Sequence, residues 1–300
     1  MSKKENKQSP NVDLKKNLHL DALRGVLAII IVVLHVEILK YYSFRPSKHF
    51  SFLVYSGGQI AITGFFVLSG YFITLSILKA KANNTFSLSA FYKRRIFRIL
   101  PLYYLLILSS IFVFPYIELL IFHYPLADGF RHVDTNPSDY WYYLLFMPQV
   151  PLFRNVILPF AEPTWSIGVE ELFYLVIPWI FLKIKNNIVS VLIIFITLFN
   201  LVKSYQLYIN PPETHILLLN YYMYDCIALG CLLGIMYFNE NKLFRSINKK
   251  WHVLVMLIVF AIMFINLKSK PINYMPYAIC FAIIIAYFVN NNSRIKSPEW

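Results

Sequence analysis

The chain has 300 residues, 58% of them hydrophobic, 18% aromatic and only 14% charged, with a mean hydropathy of +0.56. A soluble domain carries about 25% charged residues, so this composition excludes a soluble enzyme, a secreted module and a disordered chain. The 28 Lys and Arg against 15 Asp and Glu give +13. On a soluble chain that would suggest nucleic acid; on a membrane protein it means cytoplasmic loops facing anionic lipid. The chain reads as an all-α, polytopic transmembrane helical bundle with the lipid bilayer, and no nucleic acid, as its surroundings.

The first residues, MSKKENKQSPNVDLKK, are polar and basic and lack an apolar core followed by a small-residue cleavage site. Residues 1–19 therefore read as a cytoplasmic tail, and 20–300 as one membrane domain. Apolar runs predict about eight spans, near 20–42, 57–78, 99–121, 160–182, 188–207, 216–238, 251–267 and 272–289. The run at 140–149 is too short to cross, and Tyr140, Trp141, Tyr142 and Tyr143 suit the membrane interface. With the N-terminus inside, 19 basic residues fall on the cytoplasmic side and 8 outside, Lys203 among the latter, while Arg24 lies within the first span. That bias expects both termini in the cytoplasm of a cell whose plasma membrane the chain crosses. The longest non-spanning stretch, 122–159, carries Asp128, Asp134 and Asp139 and is too short for a catalytic domain. Cys226, Cys231 and Cys280 sit in apolar runs with no disulfide or metal spacing, so no metal is expected.

Charged and titratable groups inside spans are functional candidates, because lipid offers them no hydration. In LDALRGVLAIIIVVLH, Arg24 and His35 are 11 residues apart. That is about 1100° of helix, close to three full turns, so they share a face about 16 Å apart along the axis. Arg24 either snorkels to headgroups with Asp21 nearby or serves a site; His35 is either a packed, hydrogen-bonded residue or a general base. In GGQIAITGFFVLSGYFIT, Gly57, Gly58, Gly64 and Gly70 with Ser69 form small-residue surfaces suited to close helix packing. FYKRRIFRILPLYY places Lys93, Arg94, Arg95 and Arg98 before Pro101, which suits the first turn of the third span. The cluster is either a positive-inside anchor or a clamp for a phosphorylated ligand. PTWSIGVEELFYLVIPW puts Glu170 and Glu171 near a span's start, flanked by Trp165 and Tyr174. Glu170 is too deep to be wholly solvated and needs a cation or a neighbouring polar side chain such as His35. Asp225 and Glu118 are further span carboxylates.

LDALRGVLAIIIVVLH, GFFVLSGYFI, FYKRRIFRILPLYY and PTWSIGVEELFYLVIP follow one another in this order across residues 20–180. Together they resemble the bacterial membrane acyltransferase family 3, whose members O-acetylate or otherwise O-acylate cell-surface glycans, lipopolysaccharide and some antibiotics. YMYDCIALGCLLG is similar to the family's later Asp-and-Gly helix, with Met223 where an Arg is usual. The resemblance implies His35 as the essential histidine and Arg24 as its basic companion. It implies Arg95 and Arg98 as the Arg-x-x-Arg pair for the acyl-coenzyme A donor, and Glu170 as the motif carboxylate. Ser69 and Gly70 match a packing motif, and Ser69 joins Trp165 and Tyr174 as the substrate-binding set. Family members continue with a Gly-x-Ser-Tyr-x-x-Tyr-x-x-His segment and further spans, whereas SRIKSPEW ends just before it, so a C-terminally shortened bundle is expected. An esterase-like appendage is likewise not expected.

The function implied is an integral-membrane O-acyltransferase. It moves an acetyl or other short acyl group from acetyl-coenzyme A, or another acyl-coenzyme A, to a hydroxyl of a cell-surface polysaccharide or glycolipid. His35 acts as base or forms an acyl-imidazole, Arg24 aids the donor or the oxyanion, and Glu170 sets the histidine tautomer. A homodimer or partner proteins of glycan biosynthesis stay open. The alternatives are a transporter of glycan or lipid precursors using His35, Glu170 and Asp225 as a path, and an inactive shortened relative.

Overall fold

A computed structural model describes residues 17–43, 57–114, 116, 137–153, 158, 160–184, 187–209, 221–265 and 273–291. Residues 1–16 of the expected basic tail, Glu118, Asp128, Asp134 and the SRIKSPEW end lie outside the described residues, while the tail's last two residues open the first helix. Among the described residues all regular structure is helical. The helices are α1 (Leu18–Ser43), α2 (Gly58–Ala82), α3 (Leu88–Phe112), α4 (Pro137–Leu144), α5 (Gln149–Phe153) and α6 (Thr164–Lys183). They continue as α7 (Ile188–Ile209), α8 (Tyr224–Phe238), α9 (Lys242–Ser246), α10 (Lys250–Ile265) and α11 (Met275–Asn291). Five, namely α1, α2, α3, α6 and α7, contain stretches long and apolar enough to cross a membrane, and α8, α10 and α11 contain shorter apolar stretches.

The hub is α2, with 78% of its most apolar window buried, against 17% for α1, α3 and α7. Lipid-facing helices can stay apolar outward, so burial follows protein contacts alone. Glycines allow α2 and α8 to meet backbone to backbone: a Cβ on Gly70 would run into the Ile227 carbonyl, and one on Gly230 into the Val67 carbonyl. Gly234 lies against Tyr71 and Thr74 in the same seam. The predicted packing role for Gly70 is what its surroundings require.

On α1, Leu20, Leu27 and Leu34 recur every seventh residue and are the buried stripe. They run antiparallel to α2: Leu27 Cδ1 would stand 2.8 Å from a Cβ on Gly64, and Leu34 abuts Gly58. In contrast, α2, α6 and α8 run the same way. Phe66 packs edge-on to Trp165, Lys81 Nζ donates to the Phe181 carbonyl at 2.6 Å, and the Thr63 hydroxyl meets Met223 Sδ at 3.9 Å.

Two expectations are corrected. The third span does not begin at Pro101. The helix starts about three and a half turns earlier, where the Ser87 side chain accepts from the Ala90 amide, and Pro101 lies inside it. Pro101 removes the bond to the Phe97 carbonyl, yet the helix continues because both its ends are anchored. Tyr92 donates to the Leu175 carbonyl at 2.8 Å, and Tyr103 donates to the Tyr143 carbonyl at 2.7 Å. The basic cluster is thus helical and part of the bundle. Lys203, assigned to an outer loop, is instead inside α7 and 3% exposed. The short α4 does not have crossing length, as expected. Its Tyr143 is buried, accepts from the Leu158 amide at 3.2 Å, and has its phenol pushed up to about 12 by that burial.

Candidate functional site

Four segments meet around the Tyr174 ring. The Arg95 guanidinium carbon lies 3.6 Å from that ring's centroid and 5.1 Å from the Phe91 ring. Arg95 Nη1 stands 3.8 Å from Glu171 Oε1, with side chains 23% and 18% exposed. The Tyr174 hydroxyl donates to Glu170 Oε2 at 3.4 Å and also meets the Ser69 hydroxyl from α2. Glu170 and Tyr174 are four residues apart, so one turn of α6 stacks them on one face.

Arg24 closes the cluster from α1. Its guanidinium lies 4.1 Å over the Phe72 ring and 3.9 Å from Asp21 Oδ1. The charges of Arg98 and Glu170, and the Tyr174 phenol, all reach it. A guanidinium over an aromatic face keeps its in-plane N–H fork free for a planar anion. Arg24, Arg95 and Arg98 with Glu170, Glu171, Tyr174 and Ser69 thus form one region from residues 150 positions apart in sequence. It offers cationic forks for phosphate, with Glu170 bonded to the Tyr174 hydroxyl and Glu171 beside Arg95.

His35 is not in that cluster. Eleven residues beyond Arg24, it is about 16 Å further along α1, beside Leu34 and therefore level with the start of α2. Among the described residues no contact joins it to Glu170, whose bonded partner is Tyr174. Among the described residues, the expected tautomer-setting contact from Glu170 to His35 is not present. Trp165 belongs to the core at the same end as His35, with its ring edge-on to Phe66 at 6.3 Å and to Tyr221 at 4.8 Å.

A polar centre that sequence reasoning did not assemble lies between α7, α8 and α11. Lys203 Nζ donates to Asp225 Oδ2 at 2.9 Å and Oδ1 at 3.0 Å. Asn200 Nδ2 adds a bond to Asp225 at 3.2 Å, and Asn273 donates to Asn200 Oδ1 at 2.9 Å. Asp225 was singled out as an intramembrane carboxylate. The missing signal was Lys203, an isolated cation inside the apolar run 188–207, counted as a loop residue. Among the described residues no group of three or more His, Cys, Asp or Glu is arranged to hold a metal.

A helical membrane bundle carrying a partly buried arginine–carboxylate–tyrosine site is the class of protein these features define. The chain belongs to acyltransferase family 3, whose acyltransferase domain matches residues 17–298. It is 31% identical over 136 residues to the putative peptidoglycan O-acetyltransferase YrhL of Bacillus subtilis, covering 43% of this chain and 20% of that protein. It is 30% identical over 176 residues to the peptidoglycan O-acetyltransferase OatA of Listeria monocytogenes, covering 56% of this chain and 25% of the relative. An uncharacterized protein of Haemophilus influenzae is 28% identical over 265 residues, 77% of this chain and 99% of that protein. The chain therefore spans a fifth to a quarter of the two O-acetyltransferases. No solved structure matches. Membership and the apolar helices together make this a multi-pass membrane protein.

Proposed function

We propose that the protein is an integral-membrane O-acyltransferase that takes an acetyl or other short acyl group from acyl-coenzyme A and esterifies a hydroxyl of a cell-surface glycan or glycolipid. The observation that carries this reading is the convergence of Arg95 with Tyr174, Glu170 and Ser69, next to Arg24. Three motifs distant in sequence are spent on one cationic, aromatic-backed region. That is the chemistry a nucleotide pyrophosphate needs.

In this reading the N-terminus is cytoplasmic and Arg95 and Arg98 hold the donor phosphates. The pantetheine arm follows α1 from Arg24 toward His35, a reach of about 16 Å from the helical rise. At His35 the acceptor hydroxyl gives up its proton, its oxygen attacks the thioester carbonyl, the C–S bond breaks, and the departing thiolate takes a proton. Alternatively the imidazole nitrogen attacks first and the acyl-imidazole then passes the group to the hydroxyl. Glu170 and Glu171 act by holding Tyr174 and Arg95. Acceptor hydroxyls on glycans match what the named relatives are described as acting on, peptidoglycan.

The test is acyl transfer from radiolabelled acetyl-coenzyme A by membranes carrying the full chain. Label is expected in an alkali-labile ester on the glycan or glycolipid fraction, and is expected to vanish in His35→Ala at equal expression. Label incorporation by His35→Ala at the wild-type rate, or coenzyme A binding unaffected by Arg95→Ala with Arg98→Ala, would sink the assignment.

A further inference from the structure

At the end of the bundle where α1 begins and α11 ends, the turn between α8 and α10 is more closely built than a connecting loop needs. Residues 239–251 read NENKLFRSINKKW, with Lys242, Arg245, Lys249 and Lys250 against Glu240 alone. Glu240 takes the left-handed conformation at φ 51°, which favours glycine, and the Asn241 amide closes the end of α8 on the Met236 carbonyl at 2.9 Å. Asn241 Oδ1 accepts from the Leu243 amide at 2.9 Å and starts α9. Phe244 is fully buried and plugs α9 into the core beside the Tyr237 ring. Asn290 Nδ2 of α11 donates to the Phe244 and Ile247 carbonyls at 2.7 and 2.9 Å, and Asn291 Nδ2 to the Asn248 carbonyl at 3.2 Å. His19 stacks on Phe288 at 5.3 Å, which brings the start of α1 to the same corner.

All four cations stay exposed on this fixed frame. Orienting a membrane chain needs only positive charge in a loop; it does not need the loop's backbone held at Glu240, at Phe244 and by two asparagines. Backbone held in a rare conformation by its surroundings marks functional places. The asparagine amides also satisfy carbonyls at the end of α9, work that Lys or Arg side chains otherwise do. Leu243 and Trp251 stand among the cations, 66% and 55% exposed. Trp251 belongs to α10, where Leu254, Leu257 and Ile258 are exposed as well. Cations with exposed Leu and Trp fit the boundary between headgroups and acyl chains, whereas a soluble phosphate would leave the apolar pair in water. The donor arginines are a different group. Arg24 feels Asp21, Arg98 and Glu170, while Arg245 lies 5.7 Å from the Tyr237 ring and its charge reaches Tyr71.

We propose that the turn around α9, with Lys242, Arg245, Lys249 and Lys250, is a docking surface for the phosphodiester headgroup of an anionic phospholipid. Arg245 takes the phosphate in place of Glu240, which stands 3.6 Å away. The lysines add charge, and Leu243 and Trp251 lie against the glycerol and upper acyl chains. The surface is independent of the acyltransferase reading, since it needs neither donor nor acceptor.

The experiment is native mass spectrometry of the full chain in mild detergent, with equimolar phosphatidylglycerol and phosphatidylcholine of identical acyl chains. The wild type is expected to carry phosphatidylglycerol in preference by about tenfold or more. At roughly fivefold per cation near a membrane surface, Arg245→Gln with Lys249→Gln should lower that ratio at least fivefold. Glu240→Gln should raise it. Lys93→Gln with Arg94→Gln removes two exposed cations from α3 and should leave it unchanged. If the first pair does not fold, Lys242→Gln with Lys250→Gln carries the same expectation. No headgroup preference in the wild type, an unchanged ratio in a folded pair, or an equal fall with the α3 pair would overturn the proposal. So would complete displacement of the lipid by excess glycerol 3-phosphate, which would make the partner a soluble phosphate. Failure of both pairs to fold would overturn it too, by making the cations structural.

Discussion

Arg95 lies across the Tyr174 ring at 3.6 Å, and the hydroxyl of that same ring is tied to Glu170 at 3.4 Å. The ring on one side and Glu171, 3.8 Å from Nη1, on another hold the guanidinium in place. Arg95→Lys keeps the charge but loses the fork and the ring contact. With cation–π contacts at about 0.5–2 kcal/mol, coenzyme A affinity should fall roughly 2- to 30-fold in Arg95→Lys and further in Arg95→Gln. Filter binding of labelled coenzyme A to washed membranes measures this; equal affinity in wild type and Arg95→Lys would show that the stack is structural only.

His35 acts, on the proposed function, through an unprotonated ring nitrogen, whether as base or as nucleophile. Protonation removes that lone pair, so transfer should fall as pH is lowered and level off once the imidazole is neutral. General-base removal costs typically about 10²- to 10⁴-fold, so His35→Gln should lose at least two orders of magnitude. Its residual rate should be flat across the range in which the wild type rises. A His35→Gln profile that still climbs with pH would assign the titrating group elsewhere.

Much of the bundle was legible because membrane helices must satisfy their own backbone within apolar runs of span length. Hence α1, α2, α6 and α7 fall close to the predicted intervals. The beginning of α3 was not, because Pro101 looks like a start signal. What keeps the helix going upstream is tertiary: Tyr92 bonded to α6 and Arg95 on Tyr174. The Arg95–Glu171 proximity joined two motifs that sequence listed separately, since only packing of α3 on α6 creates it. Lys203 was misread for a related reason. A lone lysine near the end of an apolar run looks like a loop residue until its counter-ion, Asp225 on another helix, is known.

The α2–α8 seam depends on absent side chains. Gly70→Ala would drive a methyl into the Ile227 carbonyl and Gly230→Ala into the Val67 carbonyl, both rigid backbone atoms. Overpacking of this kind costs about 1–3 kcal/mol, so either variant should lower the thermal midpoint of the detergent-solubilised protein. Gly25 has nothing within 4 Å of where its Cβ would be, so Gly25→Ala is the control and should match or exceed wild type. A midpoint unmoved by Gly70→Ala would mean the helices slide apart without penalty.

Lys203 and Asp225 are 2% and 0% exposed at the side chain, and each is the other's counter-ion inside the bundle. Removing one partner of a buried pair strands the other and costs about 3–5 kcal/mol. Asp225 keeps the Asn200 amide even without the lysine, whereas among the described residues the Lys203 ammonium would keep the nearby Phe199 ring, 4.9 Å away. Asp225→Leu should therefore be more damaging than Lys203→Met. The double variant Lys203→Met with Asp225→Leu leaves no uncompensated charge, and apolar replacements of buried pairs are often neutral or stabilising. It should recover most of the folded yield that either single variant loses, read as monodisperse protein after mild solubilisation and as thermal midpoint. Full recovery of fold with transfer still absent would make the pair part of the reaction path. Recovery of both makes it a device for joining α7, α8 and, through Asn200 and Asn273, the start of α11.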